Sequence, residues 1–299
     1  MGQPMALSIE PTTACNLKCP ECPSGLRSFS RPVGSLEFEN FVRIIDDLHT
    51  ELCYLNLYFQ GEPYLNKDFY RMVSYAHQKS IFTATSTNAH YLDDENARLT
   101  VLSGLDKLVI SMDGTDQQTY QKYRRGGDIE KVFNGIISIL KWKKHLKIRN
   151  PLVLLQFIIF KSNQHQINEI KKIASDLQVD HLVFKTAQLY DYSKKADLLP
   201  DNPSWSRYRM QNDGILKINN SMKNHCWRMW SSSVITWDGR IVPCCFDKDA
   251  NHQMGKLNDS TFDQIWRGEE YNRFRQQIFT SRKGIEICSN CSEGTKTWA

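Results

Sequence analysis

Cys15-Asn16-Leu17-Lys18-Cys19-Pro20-Glu21-Cys22 sets three cysteines within eight residues, separated by three residues and then by two. A closed structural metal site takes four protein ligands, so three thiolates at this spacing leave one coordination position to something other than the protein. The stretch directly follows a short β-rich run, Ala6 to Glu10, which puts the thiols at the carboxyl end of a first strand. The rest of the chain has to provide a scaffold around that loop and a partner for the open position.

Downstream, to about residue 187, short β-rich runs alternate with amphipathic helical stretches. The expected strands are Ala6 to Glu10, Cys53 to Phe59, Phe82 to Ser86, Lys107 to Ser111, Leu152 to Ile159 and His181 to Lys185. Between them apolar residues recur at helical spacing, as in Phe41, Ile44, Ile45 and Leu48, and again in Ile167, Ile170, Ala174 and Leu177. Six strands with five intervening helices make an α/β fold with a parallel sheet and right-handed crossovers. A curved partial (β/α)6 barrel is expected in preference to a flat doubly wound sheet. In either arrangement ligands gather at the carboxyl ends of the strands.

The bulk composition fits a folded chain. It has 299 residues, 40% hydrophobic and 24% charged, with a net charge of +5 in which basic and acidic residues are interleaved. The basic run Lys141-Trp142-Lys143-Lys144 reads as a solvated helix end and not as a nucleic-acid surface. The longest apolar stretch, Leu152 to Phe160, is strand-sized and interrupted by Gln156, so neither a membrane span nor a secretory signal is expected. A cytoplasmic location is the corresponding expectation. Nine cysteines in a reducing compartment point to metal ligation or reactivity, not disulfides. Eight fall into two groups near the chain ends, and Cys53, alone in an apolar run, is expected to be a buried core thiol.

Three regions are expected: a core at 1–188, a linker at 189–225 with no clear period, and a cysteine- and tryptophan-rich module at 226–299. The module is too small to rely on its own core, so a metal staple is expected there. Trp227, Trp230 and Trp237 are expected to pack around that staple.

With its three cysteines at this spacing after strand one, the chain resembles the radical S-adenosylmethionine (radical SAM) superfamily. The resemblance implies a 4Fe-4S cluster on Cys15, Cys19 and Cys22, with S-adenosylmethionine chelating the remaining iron. Reductive cleavage would release a 5′-deoxyadenosyl radical that abstracts hydrogen from a substrate. Glu21 departs from the family pattern, which places an aromatic residue before the third cysteine. Gln60-Gly61-Glu62-Pro63 looks like the family's Gly-Gly-Glu-Pro motif, which implies that Gly61, Glu62 and Pro63 hold the methionine amino group. Thr87 and Asn88, followed by Ala89 where Gly is common, resemble the segment near the ribose. Ser111 would contact the ribose and Arg124 the methionine carboxylate. Asn163 fits either this pattern or a turn role.

Cys226, Cys244, Cys288 and Cys291 resemble the twitch form of the SPASM extension, which implies a second, auxiliary 4Fe-4S cluster with four protein ligands. On spacing alone a zinc ribbon uses the same tetrad. Cys245 keeps three readings: the ligand in place of Cys244, a buried bystander, or a hydrogen donor to a substrate radical.

Taken together, the resemblance implies a radical SAM oxidoreductase. Its expected reaction is the two-electron oxidation of a small hydroxylated or aminocyclitol-like molecule, with the auxiliary cluster accepting an electron. Peptide tailoring is the second reading, and a non-catalytic iron–sulfur or zinc scaffold a third. A small-molecule or peptide substrate and an external one-electron donor of the flavodoxin or ferredoxin type are the expected partners. Polar side chains near strand ends, Gln156, Lys185 and Gln188, do not specify the substrate.

Overall fold

The computed structural model describes residues 2–189, 196–212 and 215–292. Residues 190–195 and 213–214 of the expected linker and 293–299 of the expected module lie outside the described residues.

The first two-thirds of the chain alternate strand and helix. In order they are β1 (Ala6–Ile9), α1 (Pro23–Leu26), α2 (Phe38–Leu48), β2 (Tyr54–Asn56), α3 (Phe69–Gln78), β3 (Phe82–Thr87), α4 (Asp94–Leu102), β4 (Lys107–Ser111), α5 (Gln117–Tyr123), α6 (Ile129–Leu146), β5 (Leu152–Ile159), α7 (Ile167–Leu177) and β6 (His181–Thr186). Strands β1 to β6 lie side by side in chain order and all five pairings are parallel. Crossing from one parallel strand to the next requires a helix-length connection, which the amphipathic stretches supply. The α2 stripe Phe41, Ile44, Ile45 and Leu48 is buried as its spacing predicts, and so are Ile167, Ile170 and Ala174 of α7. Along β5, Val153, Leu155, Phe157 and Ile159 are fully buried beneath the helices, while Leu154, Gln156 and Ile158 on the other face are half-buried. This asymmetry suits a curved sheet with helices on its convex side.

Two expectations about the second strand are corrected. The strand is shorter than Cys53 to Phe59, because after the Leu57 N–H bonds the Ala84 carbonyl at 2.7 Å the chain leaves the sheet. Cys53 is exposed, not a core thiol. Its backbone joins the ladder through Met5 and Phe82, and its side chain faces outward at the amino edge of the sheet.

The remaining described elements are β7 (Tyr208–Met210), β8 (Leu216–Ile218), α8 (Arg228–Ser231), β9 (Ser232–Ile235), β10 (Arg240–Val242), β11 (Gly255–Lys256), α9 (Phe262–Arg267), α10 (Glu269–Ser281) and α11 (Glu286–Ser289). Strands β7 and β8 form an antiparallel pair within the stretch expected to be a linker. The sheet itself continues past the core: β9 runs parallel to β1, and β10 and β11 add antiparallel strands beyond it, giving the order β11-β10-β9-β1-β2-β3-β4-β5-β6. Strand β1 is therefore interior, with Leu7 and Ile9 almost wholly buried, and its outer edge is satisfied by residues more than two hundred positions away. Met229, Trp266, Tyr271 and Phe274 belong to the same continuous core as β1 to β6.

None of the three tryptophans lines the cavity that Cys226, Cys244, Cys288 and Cys291 share. Trp230 packs on Phe279 with ring centroids 5.3 Å apart, whereas Trp227 is 71% exposed. Trp237 lies over Gly34 and donates its Nε1–H to the Pro32 carbonyl at 3.2 Å, so it covers the segment after the first cysteines and not the second group. No helix among the described residues is long and apolar enough to cross a membrane.

Candidate active site

The first cysteine loop leaves β1 and is shaped by short-range bonds. The Cys22 N–H reaches the Cys19 carbonyl at 3.3 Å, the Leu26 N–H reaches the Cys22 carbonyl at 2.8 Å, and the Lys18 N–H is tied to the Arg125 carbonyl at 2.9 Å. In α1 a Cβ on Gly25 would stand 2.6 Å from the Cys19 nitrogen, so glycine lets the turn close against the loop. Cys15, Cys19 and Cys22 then line one cavity of about 120 Å³.

The same cavity is lined by Gly61, Glu62, Thr87, Asn88, Ser111 and Arg124, which arrive from the carboxyl ends of β2, β3 and β4 and the turn after α5. Gly61 has φ +75°, and a Cβ there would stand 2.2 Å from the Thr12 carbonyl oxygen. Glycine is required by both backbone conformation and space. The Glu62 N–H bonds the Ala14 carbonyl at 2.7 Å, which stitches this turn to the cysteine loop. Pro63 is buried at the start of a 3-10 turn and is not part of the cavity wall.

Glu62 is 2% exposed. Its carboxylate accepts the Thr87 hydroxyl at 2.7 Å and the Asn88 N–H at 2.8 Å. Burial pushes this carboxyl up to about 7, against the pull of those bonds and of Arg124. Asn88 also donates its side-chain amide N–H to the Asn16 side-chain Oδ1 at 2.8 Å, joining the end of strand three to the cysteine loop. Ala89 has φ +65°, the left-handed conformation that glycine adopts most readily, which accounts for the family preference at this position. His90 accepts the Asp128 N–H on Nε2 at 2.8 Å, so the Nδ1 proton goes to the Asn88 carbonyl at 2.9 Å.

Arg124 meets Cys19 and Asp113. Its Nε donates to the Asp113 carboxylate at 2.6 Å, and the same carboxylate accepts the Ile158 N–H at 2.7 Å. Burial works against the guanidinium charge, but Asp113 and the Cys19 sulfur beside it hold the group well above the usual arginine range. Asn163 stands apart from the cavity. Its side chain accepts the Phe160 N–H and donates to the Asp113 and Ile158 carbonyls, so it fixes the carboxyl end of β5.

The second group of thiols lines a separate, smaller cavity of about 20 Å³. Cys226, Cys244, Cys288 and Cys291 face it together with two cations, Arg228 and Arg282, and an otherwise apolar wall. Cys226 precedes α8, Cys244 follows β10, Cys288 lies in α11, and the Cys291 N–H bonds the Cys288 carbonyl at 3.0 Å. Cys245 is not in that wall; it packs with Val234, Val242 and Ala250 beside Phe59, and Phe59 lines the first cavity.

Residues 244–250 connect the two places. The Asp249 carboxylate accepts the Ser30 N–H at 2.9 Å, and Arg31 donates Nε to the Lys248 carbonyl at 3.2 Å. Arg31 also forms a two-pronged, fully buried ion pair with Glu10 at 2.6 and 2.9 Å. The loop after the first cysteines is thus clamped to the loop that carries Cys244.

Both sets offer the soft thiol donors that iron–sulfur clusters use, although among the described residues no group of three or more His, Cys, Asp or Glu side chains stands so as to hold a metal ion. Burial pushes Cys15 up to about 12 and Cys288 up to about 11, and it also raises Cys19, against the lowering influence of Arg124. These thiols hold their protons until a cation replaces them, so metal loading and deprotonation are coupled. The wall beside the three thiols also carries Glu62, Asn88, Ser111 and Arg124, whereas the wall around the four is otherwise apolar apart from Arg228 and Arg282.

Several residues in the wall, or behind it as Ser24 and Asp113 are, carry no sequence signal tied to the cysteines. Tyr58 and Phe59 line the first cavity where β2 ends, Ser24 receives the Gly61 N–H at 2.8 Å, and Asp113 pairs with Arg124. Of these, only Asp113 sits in a stretch that the sequence marks, Ser111-Met112-Asp113-Gly114. Gln156 and Gln188 are half-buried and Lys185 exposed, and none of the three lines either cavity.

Two family models match. The radical SAM superfamily model covers residues 9–149, and the model of the SPASM iron–sulfur cluster-binding domain covers residues 226–292. Among curated proteins, the tungsten-containing aldehyde ferredoxin oxidoreductase cofactor-modifying protein of Pyrococcus furiosus is 24% identical over 96% of this chain and 86% of its own length. A PqqA peptide cyclase of Rhodopseudomonas palustris is 24% identical over 92% of this chain and 76% of its own. Among solved structures, anSMEcpe with bound AdoMet superposes with a TM-score of 0.70 at 17% identity, covering 98% of this chain and 91% of that one. BtrN in complex with AdoMet and 2-DOIA superposes with a TM-score of 0.60 at 16% identity, covering 99% and 96%. SuiB of Streptococcus suis, bound to its precursor peptide SuiA, gives 0.68 at 13% identity, covering 97% and 71%.

Proposed function

Because this chain belongs to the radical SAM superfamily and ends in a SPASM iron–sulfur domain, we propose that it carries out a two-electron oxidation of a small hydroxylated, aminocyclitol-like substrate. Its cofactors are S-adenosylmethionine and 4Fe-4S clusters. The observation that carries the reading is the pairing of two cavities: three thiols face an open, polar wall, and four face a closed one. When bound, the cofactors supply a hydrogen-abstracting 5′-deoxyadenosyl radical.

The chain's own residues divide the work. Cys15, Cys19 and Cys22 hold the cluster that S-adenosylmethionine completes. Glu62, oriented by Thr87 and Asn88, receives the methionine amino group, and Arg124, steadied by Asp113, receives the carboxylate. Ser111 faces the ribose. Cys226, Cys244, Cys288 and Cys291 would saturate an auxiliary cluster, which would leave it no position for substrate and make electron acceptance the chemistry it supplies there. The net change proposed for the substrate is the loss of two electrons and two protons. An external carrier of the flavodoxin or ferredoxin type delivers the electron that starts each cycle.

BtrN supports the small-molecule reading, since it was captured with 2-DOIA and matches this chain nearly end to end. A second reading, peptide tailoring, is supported by the similarity to PqqA peptide cyclases and by the SuiB neighbour bound to SuiA. Anaerobically reconstituted enzyme incubated with carbinol-deuterated aminocyclitols should move deuterium into 5′-deoxyadenosine and yield one carbonyl product per cleavage. Deuterium transfer from labelled peptides, with none from the cyclitols, would overturn the small-molecule reading in favour of peptide tailoring.

A further inference from the structure

His90 stands just past the end of β3, and its ring is bonded at both nitrogens. Nε2 faces the Asp128 N–H at 2.8 Å, and Nδ1 faces the Asn88 carbonyl at 2.9 Å. A backbone N–H only donates and a carbonyl only accepts, so both partners select the same neutral tautomer, with the proton on Nδ1. The ring therefore ties the end of β3 to the start of α6, where Asp128 is the N-cap. Asn88 is itself fixed: its N–H bonds the Glu62 carboxylate, its amide N–H bonds Asn16, and its amide oxygen accepts the His90 N–H at 3.1 Å.

The segment held at the other end carries Arg124. Between Arg124 and Asp128 the chain turns through Gly126, with φ +80°, and Gly127, where a Cβ would stand 2.7 Å from the Tyr120 ring. Two glycines give this turn little stiffness of its own, so its place is set by bonds. The Gly127 N–H reaches the Arg124 carbonyl at 2.9 Å, and the Lys18 N–H reaches the Arg125 carbonyl at 2.9 Å. Gln117 donates to the Gly127 carbonyl at 3.0 Å and accepts the Ile129 N–H at 2.9 Å. The His90 ring also lies over Tyr120, with centroids 6.5 Å apart, and the Tyr120 carbonyl accepts the Arg124 N–H at 2.9 Å. Burial holds the imidazole below its ordinary range; Lys131 and Arg124 add to this, while the Asn88 carbonyl and Asp128 oppose it. We infer that His90 is a positioning residue for Arg124: its two-ended bond fixes the Arg124 turn against the Asn88 side of the first cavity, and with it the fit of a carboxylate presented to the guanidinium. The inference rests on the reading that Arg124 receives the methionine carboxylate of S-adenosylmethionine. His90 does not line the cavity, so it acts through Asn88 and the turn.

The test is isothermal titration of full-length, reconstituted protein with S-adenosylmethionine. His90→Leu fills similar space without donor or acceptor and should weaken binding about tenfold, the effect of one lost buried hydrogen bond. His90→Gln places a carboxamide oxygen where it can accept the Asp128 N–H, and should stay within about threefold of wild type. In an Arg124→Gln background, His90→Leu should weaken binding by less than about twofold, because the group it positions is gone. Equal affinities of the Leu and Gln variants, or the same loss from His90→Leu in both backgrounds, would overturn the inference, since packing alone would produce either. Arg124→Gln binding as tightly as wild type would instead refute the carboxylate assignment, whatever the His90 variants show. Nitrogen NMR of the labelled His90 ring in the unsubstituted chain requires no variant to fold: it should report the Nδ1–H tautomer, and the Nε2–H tautomer would also overturn the inference.

Discussion

Replacing Glu62 by Gln tests the electrostatics of the proposed S-adenosylmethionine site more sharply than deleting a ligand. The carboxyl is buried and bonded by Thr87 and Asn88, yet burial raises it from 4.5 to about 7. A rise of this size corresponds to about 3 kcal/mol of differential stability, taking roughly 1.4 kcal/mol per unit. The folded-state value lies above the unfolded one, so the protonated form is favoured by folding. That contribution is fully present below about 4.5 and is lost as pH rises through about 7. Glu62→Gln keeps the shape, directs its amide oxygen to the Asn88 N–H, and removes the titration. Cluster-free protein without S-adenosylmethionine should therefore gain up to about 3 kcal/mol over wild type at pH 8.5, less about 1 kcal/mol for an altered hydrogen bond, and gain nothing at pH 5. Denaturant unfolding at the two values measures this. In isothermal titration, wild-type affinity for S-adenosylmethionine should fall about tenfold per pH unit below 7, while the variant binds weakly and without that slope. Parallel stability curves for the two proteins across this range would refute the reasoning.

Other perturbations follow from the same geometry. Gly61→Ala should cost at least about 1–3 kcal/mol from the left-handed backbone alone, with more from the Thr12 carbonyl contact, and should depress both melting temperature and S-adenosylmethionine binding. Arg31→Met leaves Glu10 buried without its partner, so thermal unfolding should reveal a loss of about 3–5 kcal/mol, and the clamp between residues 30–31 and 248–249 should loosen in hydrogen exchange. Cys244→Ala should halve the iron bound by the reconstituted protein, whereas Cys245→Ala should leave it unchanged, since Cys244 and not Cys245 faces the second cavity. Equal iron loss in the two variants would contradict this division.

The parts of the molecule written in local periodicity were legible from sequence. The stripes in α2 and α7 and strands β1, β3, β4, β5 and β6 follow from spacing, because each element must bury one face. Residues placed at strand ends by a motif were also legible, and Glu62, Thr87, Asn88, Ser111 and Arg124 meet around the three thiols. What the sequence concealed depends on distant partners. The pairing of β9 with β1 has no local signature, so the sheet appeared to begin at β1. Cys53 misled because an apolar run says nothing about which edge of the sheet a side chain leaves. Trp227 misled for a related reason, since proximity in sequence to Cys226 does not bring its ring inward. Nothing local marks Arg282, and only folding brings its guanidinium to the Cys291 sulfur.

The most direct test of the two-cavity account is iron counting by Mössbauer spectroscopy on anaerobically reconstituted protein, paired with measurement of 5′-deoxyadenosine. Wild type should hold about eight irons in two four-iron clusters, and Cys15→Ala/Cys19→Ala/Cys22→Ala should hold about four and form no 5′-deoxyadenosine. Stoichiometric zinc at the tetrad, or 5′-deoxyadenosine from the triple variant, would contradict it.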